Sequence, residues 1–128
     1  MAARRNDTIR AIEEILRLRR AERLADRPLR AELRTVREFL EDIAGPTVTR
    51  AEAARLLGLS QTALDRWIFK DEISSVITPL GRREIPLSEL VELLEDVERV
   101  RDTGIRRPLA AVISERRRRS SESVDLDR

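Results

Sequence analysis

The run from Thr47 to Pro86, TVTRAEAARLLGLSQTALDRWIFKDEISSVITPLGRREIP, leaves this chain few local conformations. Thr49 followed three residues later by Glu52 is a capping box, so a helix is predicted to begin at Arg50. Ala53, Ala54 and Leu57 share its inward face. Gly58 ends it, because glycine enters the left-handed region without a steric cost. Leu59 is read as a buried spacer, and Ser60 as the cap of a second helix, Gln61 to Lys70. There Leu64, Trp67 and Ile68 fall at i, i+3 and i+4 and form one apolar face, with Trp67 expected in the core. The opposite face carries Gln61, Thr62, Asp65, Arg66 and Lys70. After Lys70 the period changes. Ile73, Val76 and Ile77 are β-type residues, Arg83-Glu84-Ile85 is a second extended piece, and Pro79-Leu80-Gly81-Arg82 between them is a turn. The expected product is a hairpin with Arg82 and Arg83 at its tip.

Two short helices joined by a glycine turn, the second polar outside, follow the helix-turn-helix pattern. With the hairpin behind them, the run resembles the winged helix-turn-helix of the excisionase and MerR-like families. The resemblance is carried by T-x-x-E-A-A-x-L-L-G-L-S (Thr49 to Ser60), by Trp67 with Ile68, and by G-R-R-E-I-P-L-S-E-L (Gly81 to Leu90). It covers between a third and a half of the chain. One departure is Asp71, where the family usually has glycine at the end of the second helix. Aspartate tolerates the left-handed region better than most residues, so the turn is expected to survive. The metal- or drug-sensing region of the family is not matched. The resemblance implies a winged helix-turn-helix with a two-stranded wing; with the flanking helices read from apolar spacing, an N-terminal helical arm and a short C-terminal helix, the expected fold is mainly α.

Composition removes several function classes. The chain has no cysteine and no histidine. Disulfides, thiolate metal sites and histidine-dependent triads are therefore excluded, and no catalytic residue, metal or cofactor is expected. Aromatics are scarce, at 2%, so a core of Leu, Ile, Val and Ala fits helices better than a β-sandwich, and base-stacking RNA recognition is disfavoured. No apolar run approaches the ~20 residues that cross a bilayer, and no signal peptide is visible; a cytoplasmic location and no membrane partner are expected. The pI of about 10.2 overstates the charge, since the net is only +2 and a single lysine stands with no residue that titrates near neutrality. Distribution matters more. Residues 105–119 carry six Arg against one Glu, whereas 71–104 carry four Arg against nine acids. Such polarity suits a DNA-facing side and a remote side.

Taken in order, the chain divides into an N-terminal helical arm (1–44), the winged domain (45–104), and a basic C-terminal helix with a disordered tail (105–128). Residues 1–7 are read as disordered, with Arg4 and Arg5 a minor basic arm. A helix runs from Thr8 to about Ala25. Pro28 sits in the first turn of the next helix, with Asp26 or Arg27 near its cap and Gly45-Pro46 at its end. Leu29, Leu33, Val36, Leu40 and Ile43 are spaced 4, 3, 4, 3, an a/d seam widened by Phe39. This seam pairs either with a second chain, giving a homodimer held by residues 8–44, or with the acidic helix of its own chain. That acidic helix spans Pro86 to Thr103; Leu87, Leu90, Val91, Leu94, Val97 and Val100 line its inside, and Glu89, Glu92, Glu95, Asp96 and Glu98 its outside. Such acids can hold a hard cation, but consecutive helical acids are usually a solvated face. A last short helix from Leu109 to about Arg119 ends in Arg116-Arg117-Arg118-Arg119, and Ser120 to Arg128 is read as a disordered tail.

The expected function is sequence-specific binding of double-stranded DNA, as in a bacterial-type transcriptional regulator. Gln61, Thr62, Asp65 and Arg66 would face base edges, because Gln can make two hydrogen bonds to adenine and Arg two to guanine. Arg50, Ser60 and Lys70 would hold phosphates, and Arg82 and Arg83 the backbone or minor groove. Two alternatives remain open: an excisionase-like factor that bends DNA for a recombinase, and an antitoxin whose arms wrap a toxin while its DNA-binding half represses its own operon.

Overall fold

The computed structural model describes residues 2–126, with side chains from Asp7 to Ser121. It is mainly helical: α1 (Ala2–Leu24), α2 (Arg27–Ala44), α3 (Arg50–Leu57), α4 (Gln61–Phe69), α5 (Leu87–Asp102) and α6 (Pro108–Leu126). Three short strands, β1 (Thr47–Val48), β2 (Val76–Ile77) and β3 (Arg83–Pro86), form an antiparallel sheet in the order β1-β3-β2. Val48 faces Ile85 and Ile77 faces Arg83. The sheet thus has one strand more than the expected hairpin. Two residues are too few to announce themselves by alternation, and β1 is held by its pairing and by the Thr47 hydroxyl, which donates to Glu84 Oε1 at 2.6 Å.

Helix α5 is the centre of the packing. Its buried stripe is Leu87, Leu90, Val91, Leu93, Leu94, Val97 and Val100, and α1, α3, α6 and β3 all rest on it. One continuous core takes Ile12 and Ile15 from α1, Val48 and Ile85 from the sheet, and Ala53, Ala54 and Leu57 from α3. Leu64 and Ile68 of α4, Ile73, which precedes β2 rather than joining the hairpin, and Leu109, Val112 and Ile113 of α6 complete it. Trp67 does not join this core as expected. It is half-exposed and leans on the core from outside, with Lys70 Nζ 5.8 Å from its ring centroid. The smaller Leu64 and Ile68 fill the space between the helices instead.

Local signals set the helix boundaries. Asp26 caps α2 by accepting from the Leu29 N–H at 3.0 Å, and Gly45 closes it with φ 87°. The capping box of Thr49 and Glu52 is present in both directions. At the end of α3 the N–H of Leu59 donates to Ala54 O and that of Gly58 to Arg55 O, a Schellman closure around a left-handed Gly58. Helix α4 closes the same way. Glu72 N–H donates to Trp67 O and Asp71 N–H to Ile68 O, with Asp71 at φ 57°, the one described non-glycine residue at positive φ. Aspartate therefore fills the position where the resembling family has glycine.

Both chain ends depart from expectation. Residues 2–7 continue α1, although the side chains of Arg4 and Arg5 lie outside those described. Helix α6 runs on to Leu126 rather than stopping near Arg119; Asp127 and Arg128 lie outside the described residues. Neither stretch contains a proline or glycine, and an established helix extends into such residues at little cost per residue. The arm also departs from the expectation that its seam folds back on the acidic helix. It is α1, not the α2 seam, that lies on the acidic helix: Arg19 and Arg23 meet Glu95 at 2.9 and 3.0 Å, and Arg20 meets Glu98 at 2.7 Å. Arg116 of α6 holds Asp96 at 2.7 Å, and Arg117 holds Glu72. Among the described residues no helix is long and apolar enough to cross a membrane.

Candidate nucleic-acid interface

The N-termini of α3 and α4 meet the β2–β3 hairpin around an open groove of about 660 Å³, lined by Thr49, Arg50, Ala51, Gln61, Ile77, Gly81, Arg82, Arg83 and Glu84. Four of the nine candidate contact residues therefore converge: Arg50, Gln61, Arg82 and Arg83. Arg50 sits at the first position of α3, fixed there by the Thr49 cap. Gln61 sits at the first position of α4, fixed by Ser60, whose Oγ accepts from the Ala63 N–H at 3.1 Å.

The hairpin is built for rigidity. Gly81 N–H donates to Thr78 O and Thr78 N–H to Arg82 O, both at 2.8 Å, and Arg82 N–H donates to the Thr78 hydroxyl at 3.2 Å. Pro79 and Leu80 form the corner, and Gly81 at φ 80° completes a turn-plus-bulge loop that any residue with a Cβ would strain. Arg82 projects from this loop without a side-chain partner among the described residues, whereas Arg83 opens β3 and donates to Ser75 Oγ at 2.8 Å. Of the two tip arginines, Arg82 is the one left to meet a ligand without first breaking a bond.

The outward face of α4 is uneven. Gln61, Thr62 and Arg66 are exposed, and their side chains have no hydrogen-bond or ionic partner among the described residues. Asp65 is half-buried and forms an ion pair with Arg50 at 3.0 Å. This pair joins two candidates that were read as separate contacts: it neutralises the one acid on the face and ties α4 to α3. Lys70 stands at the opposite end of α4 from the groove, over Trp67. Away from this face, Glu95, Asp96 and Glu98 of α5 and Glu72 are met by arginines of α1 and α6. The charge polarity read from the sequence is thus cancelled in part within the fold, and the basic run of α6 is largely spent on its own chain.

Two features escaped the sequence. Leu80 at the hairpin corner is 84% exposed; only the loop geometry reveals that it points outward. Glu22 is buried at the elbow of α1 and α2, where Arg37 holds it by two hydrogen bonds of 2.6 and 3.0 Å. The Arg37 hydrogen bond, reinforced by the charges of Arg37, Arg34 and Arg19, holds the Glu22 carboxyl below the usual carboxylate range against the opposing effect of burial. Comparison with known family models, with curated proteins and with solved structures finds no match to this chain.

Proposed function

We propose that this chain is a sequence-specific double-stranded DNA-binding protein of winged helix-turn-helix type, a regulator of transcription in a bacterial cytoplasm rather than an enzyme. The observation that carries this reading is the convergence of Arg50, Gln61, Arg82 and Arg83 on one groove beside the unpaired outer face of α4. In this reading α4 enters the major groove, which is about 12 Å wide and admits one helix. Gln61, Thr62 and Arg66 face base edges, and the Arg50–Asp65 pair orients α4 and offers Arg50 to a phosphate. Ser60 and Lys70 bracket the helix on the backbone at either end, and Arg82 with Arg83 follows the strand into the adjacent minor groove.

The test separates reading from grip. Arg66→Ala costs about 1–3 kcal/mol on the preferred site and relaxes sequence preference, as loss of a base contact does. Arg82→Ala weakens all sequences alike and reduces the slope of log K against log salt by about 1, as loss of one phosphate contact does. Fluorescence anisotropy at several salt concentrations reads both. If the two variants bind like the parent throughout, this docking is wrong.

Leu80 favours the DNA-bending form of the same reading. An exposed leucine between Pro79 and Gly81 on a hydrogen-bonded loop suits an apolar wedge, which enters between base steps of the minor groove and kinks the duplex. A bending role of the excisionase kind would follow. Energy transfer between dyes on the two ends of the bound duplex should rise on binding, and Leu80→Ala should abolish most of that rise while binding persists. A duplex that stays straight with the parent protein would leave plain regulation as the better reading.

A further inference from the structure

Helix α2 buries none of its residues, although it is the most one-sided helix of the chain. Leu40 and Ala44 touch the core from its inner edge, and Arg37 binds Glu22 and Glu41. The outer edge faces solvent: Leu29 is 48% exposed, Val36 49%, Phe39 63% and Ile43 59%. Leu29, Val36 and Ile43 stand seven residues apart and so form one straight line with Val36 at its midpoint. A contiguous stripe of this kind is rarely left open on a monomer.

The charges of α2 say what covers it. Residues 27–37 carry Arg27, Arg30, Arg34 and Arg37 with the single acid Glu32; residues 38–44 carry Glu38, Glu41 and Asp42 and no base. Arg30, Arg34 and Arg37 are engaged within the chain, Arg30 by the Glu22 and Ala25 carbonyls and Arg34 by the Glu22 carboxylate at 4.0 Å. The axial polarity remains, and it runs against the helix's own interest. Acids are stabilising near a helix N-terminus and bases near its C-terminus, yet the first turn of α2 holds no acid and the last no base. An antiparallel copy of the same helix reverses both liabilities at once. It sets each basic half beside an acidic half and opposes the two macrodipoles.

We infer that α2 is an isologous dimer interface, with two copies of this chain paired antiparallel about a twofold axis at Val36, Leu29 of each opposite Ile43 of the other. A twofold pairing is the commonest closed arrangement, and it uses one self-complementary patch. The dimer follows from α2 alone and stands whether or not the groove binds DNA.

The chain has no cysteine, so introduced ones report only on the interface. Val36→Cys cross-links to itself with a short bismaleimide. Leu29→Cys mixed with Ile43→Cys gives a cross-linked heterodimer, whereas Leu29→Cys alone does not, because its two copies lie about 21 Å apart along the helix axis. Val36→Glu, at a position half exposed in the monomer, retains the parent circular dichroism and raises the dimer dissociation constant by about 30-fold or more. Self-cross-linking of Leu29→Cys as fast as the mixed pair would replace the antiparallel arrangement with a parallel one. A parent chain that scatters light as a monomer at the cross-linking concentration overturns the proposal and returns the α2 stripe to a different protein partner, such as the toxin or recombinase of the alternative readings.

Discussion

Leu64→Ala should lower the free energy of unfolding by about 3–5 kcal/mol, the range for deleting a leucine that leaves a cavity. Leu64 is fully buried, and with Ile68 it is all that α4 contributes to the core interior. The nine residues of α4 cannot hold a helix by themselves, because isolated helices shorter than ~12–15 residues are marginal in water. Their order comes from Leu64 below, the Ser60 cap at one end and the Asp71 closure at the other. The surrounding core is aliphatic, with Trp67 packed against it from the outside. For a domain with ~5–15 kcal/mol in total, that loss is severe. Urea unfolding followed by far-ultraviolet circular dichroism measures it. A cost below about 1 kcal/mol would mean that α4 is not seated as described.

The elbow of the arm carries the other large effect. Removing Arg37 leaves Glu22 buried with Arg34 at 4.0 Å as its nearest remaining cation, so Arg37→Ala should cost on the order of 3 kcal/mol. The same substitution made in a Glu22→Gln background should cost much less, since no charge is then stranded. The pH dependence has a definite sign. The folded-state pKa of Glu22 lies below its ordinary 4.5, so the ionised carboxylate contributes stability that is complete above that value. The contribution disappears as the pH falls through the lower, folded-state pKa. The parent should therefore lose stability on acidification through that interval by more than Glu22→Gln does. Identical acid profiles for the two would remove the elbow pair from the account.

Much of the helix pair was legible because its signals are local. The Thr49–Glu52 box, Gly58 and Ser60 each satisfy orphan backbone groups within a few residues, so sequence spacing alone places them. Asp71 was legible for a similar reason: one residue had to turn left-handed there, and aspartate can. What failed to show depends on distant partners. The strand β1 exists through Ile85 and Pro86, some forty residues away. The choice of α1 over α2 as the partner of α5 rests on Ile12, Ile15 and the Glu95 and Glu98 ion pairs, and a seam of good heptad spacing on α2 gave no sign that it would stay outside. The candidate contacts divide along the same line. Gln61, Thr62 and Arg66 are exposed as their helix face requires, while the Arg50–Asp65 pair and the Arg83–Ser75 bond join residues that no periodicity connects.

The central claim is that the face built by α4 and the β2–β3 hairpin reads DNA sequence. Selection of bound duplexes from a random-sequence pool, run at physiological salt with the full chain, tests it most directly. One short motif should be enriched, and the same selection with Arg66→Ala should return a motif degraded at one or two positions. If two chains pair through α2, the motif repeats as inverted half-sites. A pool that stays unenriched through successive rounds, or a motif that Arg66→Ala leaves unchanged, would contradict the claim.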